Sequence, residues 1–231
     1  MADVDRRLRP AQEQRKELRR RAWGLVAHIQ SEVLPSPGRR AALRRAAGME
    51  PGDPRTFGAF REVARFLPER ANQATQRAFL GVAALMCAQP RQARQNDIDA
   101  AASKTSTTPE GQSQSEHGAG DETSSKPVLP RSLGATLAYA VNEKAVSESS
   151  AEDRLQLVCR NNSTEAHRQL PRLMALLRSS QISVDWVALI CDLAEWDRFR
   201  QRKAAAWLRD FYRTLNDAND DPSTNNTQEQ K

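Results

Sequence analysis

The stretch from Val184 to Leu215, VDWVALICDLAEWDRFRQRKAAAWLRDFYRTL, decides the fold. At 100° per residue, Arg198, Arg202, Arg209 and Arg213 fall within an arc of about 60°. Ala204, Trp207, Leu208, Phe211, Tyr212 and Leu215 fill the opposite side, the pattern of an amphipathic helix with one face for packing. The spacing predicts a last helix from about Arg198 to Leu215, preceded by one over Val184–Trp196 with Ser183 as its cap.

Upstream, the same period recurs. Leu18, Ala22, Leu25, Val26, Ile29 and Val33 predict a helix between Gln12 and Leu34, stopped by Pro35, Pro37 and Gly38. A short helix follows from about Gly38 to Ala47, with Gly48 as a left-handed cap. Asp53-Pro54 starts a third, carrying Phe57, Phe60, Val63 and Phe66, and Pro68 closes it. The segment from Asn72 to Ala88 is apolar on most sides, as suits a central helix. In the second half, helices are expected from Ser132, around Ala151–Cys159, and after Asn162, where Asn162 and Glu165 have capping-box spacing. Pro171 implies a kink there, or a start near Gln169. No strand pair is legible. The expected fold is all-α: two small helical bundles of about nine helices, joined by a disordered polar linker. The divisions are an N-terminal bundle at 1–90, a linker at 91–130, a C-terminal bundle at 131–215 and a polar tail at 216–231. The linker is rich in Ser, Thr, Gln, Gly and acids and holds no aromatic residue, so it has too little apolar surface to offset the entropy of ordering.

The net charge of +6 is unevenly spread. Residues 1–92 hold 18 of the 35 Lys and Arg against 9 acidic residues, and most of the basic ones are arginine. Planar guanidinium forks suit phosphate, so an anionic partner follows as an expectation, with solvated helix faces as the alternative. Cys87, Cys159 and Cys191 stand singly in apolar helical patterns and read as small buried hydrophobes in a reducing compartment. The opening Met-Ala-Asp and arginines resemble no signal peptide, and no uncharged stretch has the length of a membrane span. A cytoplasmic protein with no membrane partner is expected.

Little in the chain suggests catalysis. His28, His117 and His167 are isolated, no cysteine pair accompanies them, and no phosphate-binding or nucleophile-elbow motif occurs. Asp192, Glu195 and Asp197 could hold magnesium, but their spacing is equally that of a solvated helix face. No metal or cofactor is expected, and the protein is read as a non-enzyme. The basic groups are better placed. In GRRAALRRA, Arg40 and Arg44 share one helix face, flanked by Arg39 and Arg45. Arg168 and Arg172 share an edge opposite Leu170, Leu173, Met174 and Leu177, and the last helix adds Arg198, Arg202 and Arg209. Arg6 to Arg21 form a weaker candidate surface. Trp186, Trp196 and Trp207 occupy apolar positions rather than interleaving with the basic stripes, which favours contact with the nucleic-acid backbone over base readout.

The succession GRRAALRRA, AF..VARFLP, an apolar helix, a variable polar stretch, SLGATLA, EDRLQLVCR, QLPRLMALL and VDWVALICDLAEW…WLRDFYRTL resembles the small subunit of the type I-E CRISPR Cascade surveillance complex, the CasB family. The resemblance covers about residues 20–90 and 131–215. It implies an antiviral-defence protein without nuclease activity, two copies of which lie head to tail in the complex. They touch the Cascade backbone and large subunits and help hold the target DNA strand after it pairs with guide RNA. The family's basic surface carries over onto Arg44 and Arg45, then Arg154, Arg160 and Arg172, and the basic stretch Arg198, Arg200 and Arg202. Arg40, Arg44 and Arg45 with Arg198, Arg202 and Arg209 are expected to bear on the open target strand. A free-standing helical nucleic-acid-binding regulator is the alternative, without a helix-turn-helix pattern to support it. An enzyme whose site is completed by a partner is a third.

Overall fold

The structure, a computed structural model, describes residues 2–95, 132–178 and 182–219. Its helices are α1 (Ala2–His28), α2 (Pro37–Arg45), α3 (Phe57–Val63), α4 (Gln73–Ala88), α5 (Leu133–Asn142), α6 (Glu148–Arg160), α7 (Ser163–Arg178), α8 (Trp186–Ala194) and α9 (Trp196–Asn219). Among the described residues there is no strand, and the fold is all-α. Residues 91–95, the first of the expected linker, are helical too; the part of it from 96 to 130 lies outside the described residues. Likewise α9 carries the chain to Asn219, beyond the expected end at Leu215, and the rest of the tail lies outside the described residues.

The first half follows its apolar period. Ala22, Leu25, Val26, Ile29 and Val33 are buried along one face, and the α1 ladder widens into a π-turn over Ile29–Val33 closed by the Leu34 N–H on the Ile29 carbonyl at 2.9 Å. Pro37 occupies the first turn of α2, and Gly48 takes the left-handed φ of 75° after it. Asp53 accepts from the Arg55 N–H and starts the 3₁₀ turn Pro54–Thr56 that leads into α3. Asn72 caps α4 by accepting from Thr75 N at 2.8 Å, and almost every residue of α4 from Ala74 to Cys87 is buried. It is the central helix. Arg77, itself buried, donates to Glu50 Oε2 at 2.7 and 3.0 Å and to Ser163 Oγ at 2.6 Å, joining α4 to the loop after α2 and to the start of α7.

The second half is organised by caps and by two indoles. Ser132 caps α5 and Asn162 caps α7, through bonds from Ala135 N and Glu165 N. The cap of α8 is Asp185, which accepts from Ala188 N at 3.0 Å, and not Ser183; the helix starts two residues later than the spacing predicts. Pro171 lies inside a continuous α7. It removes one N–H from the ladder, but buried Leu170, Leu173, Met174 and Leu177 hold the face on both sides of it. Trp196 and Trp207 pack with centroids 4.8 Å apart and ring planes tilted by 43°, and both are buried with their N–H groups satisfied, on the Asn161 carbonyl (3.1 Å) and Asp192 Oδ2 (2.7 Å). Gly134 lets α5 press against α9: a Cβ there would stand 1.8 Å from the Trp207 carbonyl oxygen. Helix α8 packs on α1 and α4, so the helices of both halves contribute to one continuous buried cluster.

Candidate nucleic-acid interface

The twelve arginines singled out by sequence separate into those held by the fold and those left to solvent. In α2, Arg39 is held: its guanidinium grips the buried Glu62 through Nε at 2.9 Å and Nη2 at 2.5 Å. His28, also buried, brings Nε2 to 3.1 Å from the same carboxylate. The Arg39 guanidinium, with help from His28, holds the Glu62 carboxyl below its ordinary range against the opposing effect of burial. Arg40 donates to the Leu34 carbonyl at 2.6 Å and so closes the end of the first helix. Arg44 and Arg45 are exposed, and neither has an ion-pair or hydrogen-bond partner among the described residues. The sequence groups these four together; among the described residues only the last two are without a partner.

Two arginines outside the expected set join this surface. Arg94 donates to the Gln89 carbonyl and is partly buried, and its pKa is lowered first by that burial and then by the positive charge of Arg40, with Arg44 and Arg91 adding to the effect. Arg40, Arg44 and Arg91 therefore each lie within electrostatic reach of Arg94, just beyond the end of α4. Sequence reasoning missed Arg91 and Arg94 because the polar composition beyond them placed them in the linker.

In the second half, Arg154 and Arg172 come together. Both line a groove between α6 and α7, with Leu157 and Gln169 also in its wall. Arg172 follows Pro171 within α7, on the exposed side of the helix. Arg160 is exposed at the end of α6 and donates to Gln156 Oε1 at 2.9 Å, while Arg168 is exposed but paired with Glu165 at 2.5 Å.

The third group sits where α8 meets α9. The chain bends at Phe199, whose φ of −131° and ψ of 26° are not helical, and Arg198, Arg200 and Arg202 are all exposed around the bend. They share a recess with Asn162, Asp197, Phe199 and Gln201, and among the described residues none of the three arginines is in an ion pair. A longer groove beside it gathers Arg15 and Arg19 of α1 with Arg202, Lys203 and Arg209 of α9, so the arginine-rich start and the last helix contribute to one surface. Arg209 is largely exposed, 3.4 Å from Asp210.

Of the three acids weighed as magnesium ligands, Asp197 is exposed in the recess beside Arg198, and the other two are engaged otherwise. Asp192 accepts from Lys203 at 2.7 Å and from the Trp207 indole, and Glu195 meets Lys203 at 3.0 Å and Arg15 at 3.1 Å. Among the described residues no three His, Cys, Asp or Glu side chains group so as to hold a metal ion. Burial pushes the Cys87 thiol up to about 12 and those of Cys159 and Cys191 to about 11, so all three stay protonated and unreactive near neutrality. Burial, with the charge of Arg77, lowers His167 to about 3 and keeps it neutral. No described helix is long and apolar enough to cross a membrane.

Comparison with known proteins adds an independent line. The family model for CRISPR-associated protein Cse2 matches residues 39–212. Two similar solved structures are described as a CRISPR RNA-guided surveillance complex and as the same kind of complex in a pre-nicking state. They are 36% and 38% identical to this chain, each with a TM-score of 0.69 over 87% of this chain and 97% of the matched one. No curated protein matches the sequence. A match over most of the length, at this identity and with the same helical fold, establishes that the chain belongs to the Cse2 family, the small subunit of the type I-E CRISPR Cascade surveillance complex.

Proposed function

We propose that the chain acts as a non-catalytic subunit of Cascade that stabilises the guide RNA–target DNA hybrid and the open strand by contacting phosphates through exposed arginines. The reading rests above all on the junction of α8 and α9, where Arg198, Arg200 and Arg202 are exposed together around one recess, three guanidiniums to the single carboxylate of Asp197, and none of them is in an ion pair among the described residues. Arg44 and Arg45 form the second surface, and Arg154 with Arg172 the third. The partners are the Cascade backbone and large subunits, guide RNA, target DNA and a second copy of this chain. Exchanging a DNA duplex for a guide-paired strand is nearly balanced in free energy, so a few charge-assisted contacts are enough to bias it.

Phosphate contacts release counterions, and affinity then falls steeply with salt. The isolated protein is expected to bind single- and double-stranded nucleic acid weakly, with little sequence preference, and to cut neither with magnesium or manganese present. Fluorescence anisotropy across a salt series, with a cleavage assay beside it, tests this. Salt-insensitive, sequence-specific binding would favour a free-standing regulator, and metal-dependent cleavage would favour an enzyme.

A further inference from the structure

Phe199 has surroundings that the sequence does not announce. Its ring is half-buried at the bend, and three guanidiniums stand over it: Arg202 at 4.4 Å from the centroid, Arg198 at 4.9 Å and Arg15 at 5.6 Å. They come from both sides of the bend and from α1, so the arrangement exists only in the folded chain. Aromatic faces attract cations within about 6 Å of the centroid, and a guanidinium over a ring keeps N–H groups available at its edge for an anion. Arg15 is partly neutralised by Glu195 Oε1 at 3.1 Å, whereas Arg198 and Arg202 have no carboxylate partner among the described residues. Asn162, in the same recess, spends Oδ1 on capping α7 and retains its NH₂ as a donor. Cations gathered round one ring repel each other, and a bound anion relieves that repulsion.

We propose that Phe199 is a positioning residue that holds Arg198 and Arg202 as a preformed clamp for one nucleic-acid backbone phosphate, with Arg15 bracing the ring from α1. The inference rests on the reading above that this surface meets nucleic acid, and it adds an ordering role for an uncharged residue. Without the ring, the two side chains must give up rotamer freedom at the moment of binding. The non-helical backbone at Phe199 sets the ring between residues that an unbroken helix would space by 100° per position.

The test uses fully assembled complexes and reads the lifetime of the open target complex for Phe199→Leu and Phe199→Trp, each with and without Arg198→Ala/Arg202→Ala. Phe199→Leu keeps the apolar bulk but loses the aromatic face, and it is expected to shorten the lifetime by about three- to tenfold. Phe199→Trp is expected to stay within about twofold of the wild type, since tryptophan offers the strongest cation-binding face. In the arginine-less background, Phe199→Leu is expected to change nothing further, a result that a purely structural role would not give. Arg202→Lys, at an exposed position on which folding does not depend, keeps the charge but loses the planar fork, and a loss of about threefold is expected. Wild-type lifetime in Phe199→Leu or Arg202→Lys, with a shortened one in the double arginine variant, overturns the clamp and leaves the proposed function standing. Unchanged lifetime in the double arginine variant overturns the clamp and counts against this junction as a nucleic-acid surface.

Discussion

Helix α2 and the α8–α9 junction look alike in sequence, with four arginines between Arg39 and Arg45 and three between Arg198 and Arg202. Folded, they differ. In α2, half of the charge is turned inward: Arg39 on the buried Glu62 and Arg40 on the end of the first helix. At the junction all three guanidiniums face solvent, two of them over an aromatic ring. Arginine density therefore does not measure the charge available to a ligand. What decides is whether a carboxylate or an orphan carbonyl lies within reach, and that depends on residues distant in sequence, such as Glu62, 23 positions from Arg39.

The sharpest way to break this contrast is thermal. Arg39→Ala leaves the buried Glu62 carboxylate without its guanidinium, and an uncompensated buried charge is costly. It is expected to lower the Tm by more than about 4 °C, whereas Arg198→Ala and Arg202→Ala are expected to shift it by less than about 2 °C. Circular dichroism melts of the three variants read the difference, and equal shifts would erase the distinction between the two regions.

A smaller effect should appear with pH. Because Arg39 holds the folded-state Glu62 carboxyl below its ordinary range, the pair contributes stability that is fully present above the ordinary glutamate pKa of about 4.3. That contribution is lost as pH falls through the lowered folded value. The gap in Tm between wild type and Glu62→Gln is expected to be constant from about pH 7 to 5 and to narrow below about pH 4. A gap that stays constant to pH 3 would show that the charge of Glu62 is not what the arginine serves.

The smallest expected signal is the salt slope of the isolated protein on single-stranded nucleic acid. Replacing Arg198, Arg200 and Arg202 by alanine is expected to reduce the slope of log K against log salt by about 2, at roughly 0.7 for each phosphate that is no longer neutralised. Arg39→Ala is expected to leave it unchanged. Equal slopes in both variants would mean that the junction arginines are solvated rather than engaged.

Most of the fold was legible because it is written in short-range signals. The apolar period of α1, the caps at Ser132 and Asn162, the left-handed Gly48 and the all-round apolar α4 each stand where the sequence indicates. The departures come from competition between neighbours or from tertiary support. Asp185 caps α8 in place of Ser183, two residues away, and the core under Leu170 and Leu173 keeps α7 continuous across Pro171. The site was less legible. Arg198, Arg200 and Arg202 were readable as a group, but the spacing places Phe199 in the first turn of the last helix, where the structure has a non-helical bend, so the aromatic centre of the group was not. Arg91 and Arg94 were hidden by the composition of the segment that follows them, and the commitment of Arg39 by a partner far along the chain.

On the proposed function, charge left free by the fold, rather than charge counted along the sequence, holds the open target strand. The lifetime of that open complex in assembled Cascade tests it most directly, compared between Arg198→Ala/Arg200→Ala/Arg202→Ala and Arg39→Ala after assembly of each has been verified. At about 1 kcal/mol per charge-assisted phosphate contact, the junction variant is expected to shorten the lifetime by tenfold or more, and Arg39→Ala to change it by less than about twofold. Equal lifetimes for the two variants, or a greater loss with Arg39→Ala, would contradict the account.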